Sequence, residues 1–204
     1  MYIKTVIKPA VELELIHVDD TVGSALKIID DKNLLSLPVV SGKKFIGMLS
    51  KRYVYQTYFE LDEPKEVFLN RPVSDFMRTK IPTLGDTDIV EDAIGFFIRS
   101  PYPFIPVVDQ NEDFVGIITR KAVMERYEQI FKSEYPRFFI YSYDYKGKLS
   151  KIIDIINKYN GDIKNIALMD AGILGLKEIF LSVKSDQIDK IIESLQSNNF
   201  EVKK

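Results

Sequence analysis

Two short runs of hydroxyl and basic side chains are the positions in this sequence best suited to bind an anion. Each run follows an apolar segment directly, and the two are Thr119, Arg120 and Lys121, and, earlier in the chain, Ser50, Lys51 and Arg52. Arginine offers a planar fork of donors for phosphate oxygens, and lysine adds a mobile positive charge. A hydroxyl at the start of a helix can join the first free backbone amides around an anion. A solvated first helical turn would also explain one such run by itself. Because the run occurs twice in related contexts, we predict phosphate binding at both.

The composition narrows the classes of function that remain. The 204 residues are 46% hydrophobic, and 28 basic residues nearly balance 30 acidic ones. Because the net charge is near zero, we expect no chain-wide attraction to nucleic acid or to an acidic membrane, and any anion site must be local. No long apolar run or leader-like segment occurs, so we expect a cytoplasmic protein.

Residue types that carry catalysis or bind metals are scarce. The chain has no cysteine and a single histidine, His17. Neither a thiolate nucleophile, a histidine metal cluster nor a histidine-bearing triad can therefore be assembled within one chain. No Walker-type or dinucleotide-binding glycine loop is present. The sequence predicts a protein that is not an enzyme, with no metal and no cofactor.

The basic runs lie at corresponding points of an internal repeat. Residues 36–52 recur as residues 104–121, and the match extends upstream into an amphipathic segment in each copy. Each copy is predicted to contain a helix, an apolar strand, a polar turn, a second strand and a further helix. We assign the copies to residues 1–70 and 71–133.

The remaining residues, 134–204, share no pattern with the repeat. They are predicted to form strand, helix, strand, strand, helix and strand, with apolar stripes at helical spacing in both helices. This βαββαβ order is typical of a ferredoxin-like sandwich. The predicted fold class is therefore α/β in the mixed (α+β) sense, with a repeated unit followed by a βαββαβ domain.

Motifs in both parts of the chain resemble known families. The pattern PVV followed by F(I/V)G(M/I)(L/I)(S/T) occurs in each copy, and it resembles the tandem CBS pair, or Bateman module, in which two units enclose ligand clefts. The start of the tail resembles an ACT domain at Asp144, Gly147 and Leu149. The domain order is similar to that of AcuB-type proteins, and residues 75–124 resemble bacterial CBS proteins that bind cyclic di-AMP.

These resemblances imply a regulatory protein. Its CBS pair would bind an adenine nucleotide and signal through a partner protein that the sequence does not identify. Because ACT domains often sense amino acids at subunit interfaces, the resemblance also implies an amino-acid effector at the tail and a two-fold homodimer. Neither a membrane nor nucleic acid is an expected partner.

Both copies depart from the usual CBS nucleotide motif at one position. That motif ends in Gly, apolar, x, Thr, x, x, Asp, and its carboxylate chelates the two free ribose hydroxyls. Tyr53 and Ala122 stand where the aspartate would be. A 3′,5′-cyclic dinucleotide has one free hydroxyl per ribose, so a chelating carboxylate would find no diol and would repel the phosphates. The departure therefore favours cyclic di-AMP.

Apolar residues beside the basic runs are expected to hold the adenine ring. Stacking contributes about 1–3 kcal/mol per base in single-strand binders, and we take the same order here. The residues are Ile81, Pro82, Tyr102, Pro103 and Phe104 for the second copy, and Leu13, Leu37 and Pro38 for the first.

Other interpretations of the same residues stay open. The fold could serve an AMP or ATP sensor of the AcuB type, or a ligand-free dimerisation scaffold with empty clefts. Tyr53 is explained by helix packing as readily as by ligand contact. Asp144 and Gly147 are explained by turn chemistry alone, since the chain must reverse between strand and helix.

Overall fold

The computed structural model describes residues 2–143, 147–173 and 175–204. Its contacts divide the chain into two compact units, Met1–Glu125 and Arg126–Lys204. In chain order the first unit contains β1 (Lys8–Pro9), β2 (Ile16–His17), α1 (Val22–Asp31), β3 (Ser36–Ser41), β4 (Lys44–Ser50), α2 (Lys51–Glu60), α3 (Lys65–Leu69), β5 (Leu84–Gly85), α4 (Val90–Arg99), β6 (Phe104–Val108), β7 (Phe114–Thr119) and the start of α5 (Arg120–Phe131).

The repeat predicted from the sequence appears as two similar sheets in the first unit. In the first copy β2 pairs with β3 in parallel, and β3 pairs with β4 antiparallel. In the second copy β5, β6 and β7 pair in the same two senses. Each parallel pair is joined by a helix, α1 or α4, because parallel strands need a crossover connection.

Each sheet is extended by a short segment from elsewhere in the unit. β1 pairs antiparallel with β7, which places Lys8 opposite Ile117. Around Arg78 the chain forms the equivalent bridge to Met48 of β4. Because the opening segment of each copy lies against the final strand of the other, the two copies are interlocked.

Apolar residues at helical and strand spacing fill separate cores. One core contains Val22, Ala25, Leu26 and Ile29 of α1 packed on Leu37, Val39 and Leu49. Another joins the two copies through Val40, Met48, Ile81, Phe104, Phe114 and Ile117. The second core holds the facing sheets together, since it takes buried side chains from both copies.

The second unit follows the predicted βαββαβ order. After the end of α5 its elements are β8 (Arg137–Ser142), α6 (Lys148–Lys158), β9 (Asp162–Asp170), β10 (Lys177–Lys184), α7 (Ile188–Ser197) and β11 (Glu201–Lys203). The sheet order is β11-β8-β10-β9, and every pairing is antiparallel. α6 and α7 bury Ile152, Ile156, Ile191 and Leu195 against Phe138, Ile140 and Leu181. The mixed α/β fold class is confirmed.

Candidate functional site

A cavity of about 280 Å³ lies between the first copy and the segment around Arg78, which pairs with Met48 of β4. Side chains of both copies line it, and they are Met48, Ser50, Arg52, Tyr53, Gln56, Arg78 and Pro101. The cavity lies within the first unit, at the end of β4 and the first turns of α2. Its lining combines cations, a hydroxyl, an amide and an aromatic ring.

Local structure determines which side chains reach this cavity. β4 ends at Ser50 and α2 begins at the next residue, so Arg52, Tyr53 and Gln56 all lie in the first two turns of the helix. Residues 52 and 56 are separated by one helical turn and therefore share a face. The side chain of Gln56 donates to the Glu60 carboxylate at 3.3 Å, one turn further along.

Arg78 is positioned by its backbone. Its amide donates to the Met48 carbonyl at 2.9 Å, and the Met48 amide donates back to the Arg78 carbonyl at 2.9 Å. A Cβ atom added to Gly47 would lie 2.6 Å from that carbonyl oxygen, closer than real Cβ atoms approach, so the missing side chain at Gly47 allows the bridge to form. The guanidinium then lies over the ring of Tyr53, 5.0 Å from its centroid.

The positive charge in the cavity is uncompensated. Among the residues that the structure describes, neither Arg52 nor Arg78 forms a salt bridge with a carboxylate. The ring of Tyr53 attracts the Arg78 guanidinium through its quadrupole without neutralising its charge. The cavity can therefore accept an anion through charge-assisted hydrogen bonds from the arginines.

A second cavity of about 410 Å³ adjoins the first, sharing Ser50 and Arg52. It is lined in addition by Leu35, Lys51, Tyr55 and Pro103. Leu35 is 75% exposed, so an apolar surface is already available there. An anion site beside an apolar surface fits a ligand that carries both a phosphate and a flat, poorly solvated ring.

The charge of Lys51, unlike that of its neighbour Arg52, is paired with a carboxylate among the described residues. Its ammonium group donates to the Asp30 carboxylate and lies 5.8 Å from the centroid of the Tyr55 ring. The hydrogen bond to Asp30 raises the pKa of Lys51, and the negative charge of Asp30 adds to the effect. Because Asp30 already balances this charge, Lys51 is a weaker anion ligand than Arg52.

In the second copy the predicted side chains are engaged with the protein. The Thr119 hydroxyl accepts from the Ala122 amide at 3.1 Å, which caps α5. Arg120 donates to the Ser100 carbonyl at 3.3 Å and lies 5.5 Å from the centroid of the Phe97 ring. Lys121 pairs with Glu125 at 3.6 Å and is 82% exposed.

The predicted adenine walls are mostly core residues. Leu37 and Pro38 are buried in β3, and Ile81 and Phe104 are buried in the core between the copies. Leu13 and Tyr102 pack against that core in half-buried positions, Pro82 is exposed, and Pro103 lines the second cavity. Leu37 has no exposed surface, so in this structure it can offer a ligand only its backbone, and its assignment to the adenine wall stays a prediction.

The predicted effector residues of the tail are only partly described. Asp144 lies outside the described residues. Gly147 adopts a φ of 77° just before α6, a left-handed conformation that glycine tolerates without strain. Leu149 is half-buried in the first turn of α6. The turn geometry therefore accounts for Gly147 without a ligand.

The sequence patterns did not reveal Arg78, Gln56 or Pro101 as lining residues. Arg78 lies in the segment that joins the copies, and only its pairing with Met48 brings it to the end of β4. The pairing depends on contacts between residues far apart in the chain, for which hydrophobic periodicity gives no signal. The helical spacing of Arg52 and Gln56 could have identified Gln56.

The first unit is a tandem repeat of two α/β copies, and side chains of both copies line the cavity at the start of α2. This is the architecture of a tandem ligand-binding module. A CBS domain family model matches residues 5–58 and 73–129, which together make up more than half of the chain. The protein therefore belongs to the CBS-domain family. The family match falls on the two copies of the repeat.

Curated relatives share only part of their length with this chain. An uncharacterised protein of Methanocaldococcus jannaschii is 23% identical over 128 residues, which cover 63% of this chain and 39% of the relative. An inosine-5′-monophosphate dehydrogenase of Korarchaeum cryptofilum is 24% identical over 108 residues, covering 53% of this chain and 21% of the enzyme. The chain spans well under half the length of both relatives.

Solved structures of CBS-pair proteins share the fold of the first unit. CBSX2 of Arabidopsis thaliana, solved in complex with AMP, is 23% identical with a TM-score of 0.56, covering 64% of this chain and 98% of that one. CbpB of Listeria monocytogenes, solved in complex with cyclic di-AMP, is 22% identical with a TM-score of 0.56, covering 63% and 96%. At this level of identity the similarity establishes the fold.

The described residues contain neither a candidate metal site nor a candidate membrane span. No group of three or more histidine, aspartate or glutamate side chains in the described ranges is placed to hold a metal ion. Across the same ranges, none of the helices combines the length and the apolar character needed to cross a membrane.

Proposed function

We propose that the CBS pair of this protein is a regulatory sensor for an adenine nucleotide, with cyclic di-AMP as the preferred ligand. One observation carries the proposal: the cavity at the start of α2 presents Arg52 and Arg78, and among the described residues neither forms a salt bridge with a carboxylate. An uncompensated arginine pair at a preformed cavity is suited to phosphate oxygens.

The preference for a cyclic dinucleotide follows from the residue at position 53. Tyr53 lines the cavity and lies beneath Arg78. A carboxylate here would pair with the arginine and reduce its attraction for phosphate, whereas the ring leaves the charge available. Cyclic di-AMP lacks a free ribose diol, so it does not need the carboxylate that grips AMP or ATP.

The adjoining apolar cavity supports the adenine part of the proposal. Leu35, Tyr55 and Pro103 provide a surface next to Ser50 and Arg52, so a base can pack there while a phosphate contacts the arginines. Relatives of the same fold have been solved with AMP and with cyclic di-AMP, and those structures give the proposal its ligand class.

Isothermal titration calorimetry of the full chain with cyclic di-AMP, AMP and ATP, at one salt concentration, tests the proposal. We expect the cyclic dinucleotide to bind at least tenfold more tightly than AMP or ATP. Tighter binding of AMP would show that the missing carboxylate is replaced by other contacts and would favour a mononucleotide sensor. The absence of heat with all three would favour a scaffold with empty clefts.

The role of the second unit is a separate proposal. Its βαββαβ sandwich is the architecture expected of an ACT-like domain, and we propose that it supplies homodimer contacts and an amino-acid site near Gly147 and Leu149. Thermal-shift assays with the proteinogenic amino acids and analytical ultracentrifugation test the two parts independently. No shift with any amino acid, or a monomer at micromolar concentration, would contradict the corresponding part.

A further inference from the structure

We infer that the two copies of the repeat are unequal in binding: the phosphate binds at the start of α2, and the matching position at the start of α5 does not bind one. This inference rests on the proposed function and assigns it to one of two related positions. Gln56 is the residue that leaves the first position free to bind a phosphate.

The two helix starts differ in the partner of one cation. Arg52 and Lys121 are each the second residue of their helix, α2 or α5. The sixth residue, one turn later on the same face, is Gln56 in the first copy and Glu125 in the second. Glu125 forms an ion pair with Lys121 at 3.6 Å, whereas Gln56 is neutral and lines the cavity beside Arg52.

A carboxylate at this position affects an approaching phosphate in two ways. It offsets the positive charge of the neighbouring cation, and it repels the phosphate directly. A neutral amide does neither. The Glu60 carboxylate accepts from the Gln56 amide at 3.3 Å, and Glu60 is not among the residues that line the first cavity. In the first copy a neutral amide therefore stands between the acidic group and the cavity, whereas in the second copy the carboxylate contacts the cation.

The third residue of the helix also differs between the copies. Tyr53 lines the cavity under Arg78, while the corresponding third residue of α5 is Ala122. Arg120, the other cation of the second copy, is held over Phe97 and donates to the Ser100 carbonyl. The donor that Arg120 gives to the Ser100 carbonyl is not available to a phosphate, and this adds to the effect of Glu125, so the first position should bind alone.

The test is calorimetry of the full chain with cyclic di-AMP, comparing the wild type with reciprocal charge variants. We expect no more than one ligand per chain in the wild type. Gln56→Glu should weaken binding at least tenfold. Glu125→Gln makes the opposite charge change at the matching position and should leave the dissociation constant of the first position within twofold. The stoichiometry should stay at one, because Arg120 still donates to the Ser100 carbonyl and Ala122 still stands in place of Tyr53.

Gln56→Ala separates the charge from the loss of the amide. It should bind cyclic di-AMP several-fold more tightly than Gln56→Glu, because alanine adds no negative charge beside Arg52. Circular dichroism and melting temperature confirm that each variant is folded. If Gln56→Glu is unfolded, Gln56→Asp replaces it and should show the same tenfold weakening. The stoichiometry of the wild type tests the inference without any variant.

The outcomes separate the inference from the function beneath it. Two ligands per chain, or wild-type affinity in folded Gln56→Glu, would overturn the inference and leave nucleotide sensing in place. A wild-type chain that binds none of the adenine nucleotides would overturn both.

Discussion

At the scale of single residues, the chemistry of the cleft depends on which cations lack a partner. The two basic runs supply four cations near the ends of β4 and β7. Lys51 is paired with Asp30, Lys121 is paired with Glu125, and Arg120 donates to the Ser100 carbonyl. Arg52 and Arg78 have no such partner among the described residues and line one cavity. What distinguishes these positions is whether a carboxylate already pairs with the cation.

Removing either free arginine should weaken nucleotide binding. A hydrogen bond to a charged group contributes about 1.5–3 kcal/mol, so Arg52→Ala and Arg78→Ala should each raise the dissociation constant for cyclic di-AMP by roughly tenfold to a hundredfold. Lys43→Ala is the control, because this exposed lysine lies in the turn at the opposite end of β4, roughly 20 Å away. Equal losses in all three variants would indicate a general effect of charge.

Tyr53 should act as a positioning residue for Arg78. Tyr53→Ala removes the ring beneath the guanidinium, and a cation–π contact of about 0.5–2 kcal/mol predicts a loss of affinity of roughly twofold to thirtyfold. Tyr53→Phe keeps the ring and should bind within twofold of the wild type. If the phenylalanine variant binds as weakly as the alanine variant, the hydroxyl contacts the ligand and the positioning role is wrong.

At the scale of elements, the cleft is built where a strand of one copy is bridged by a segment of the other. Met48 and Arg78 exchange backbone hydrogen bonds at 2.9 Å, and Lys44 forms a salt bridge of 3.0 Å with Asp113 at the other end of β4. β4 is therefore tied to the second copy at both ends. These two contacts fix the position of β4 relative to the second copy, and they therefore bring Arg52 and Arg78 to the same cavity.

Gly47→Ala should disrupt the cleft through the backbone. The new methyl group would meet the Arg78 carbonyl oxygen at 2.6 Å, so the bridging segment must shift. Overpacking of this kind typically costs about 1–3 kcal/mol, and we expect a lower melting temperature together with at least tenfold weaker binding of cyclic di-AMP.

Gly42→Ala is the matched control in the same hairpin. Gly42 has a φ of 57° and open space around it, so alanine there strains the turn without touching Arg78. We expect this variant to lose stability, measured by urea unfolding, but to keep its affinity. Loss of affinity in proportion to stability in both variants would contradict a specific role for the close approach at Gly47.

At the scale of the whole molecule, ligand binding should stabilise the repeat unit by linkage. A ligand at a hundred times its dissociation constant adds about 2.7 kcal/mol to the free energy of unfolding when it binds only the folded state. We expect cyclic di-AMP to raise the melting temperature of the full chain and to slow hydrogen exchange in residues 48–56 and 76–81. Protection confined to residues 117–126 would place the ligand in the second copy instead.

The net charge makes this binding dependent on local charge. At a formal charge of −2 the chain has no overall attraction for an anion, and under the proposed function Arg52 and Arg78 would supply the attraction at the cavity. A ligand can shift a conformational equilibrium only through different affinities for the two states. Because residues of both copies line the cavity, binding is sensitive to their arrangement.

The sequence by itself determined the repeat, the mixed fold class and the basic run that supplies Arg52. These features are local, since periodicity and motif spacing reflect the burial of side chains a few residues apart. The tertiary structure decided which cations remain free, that Arg78 lines the cleft, and that Leu37 is buried in the core. Such outcomes depend on packing between distant segments, where Asp30 reaches Lys51 and the bridge at Met48 carries Arg78 to the first copy.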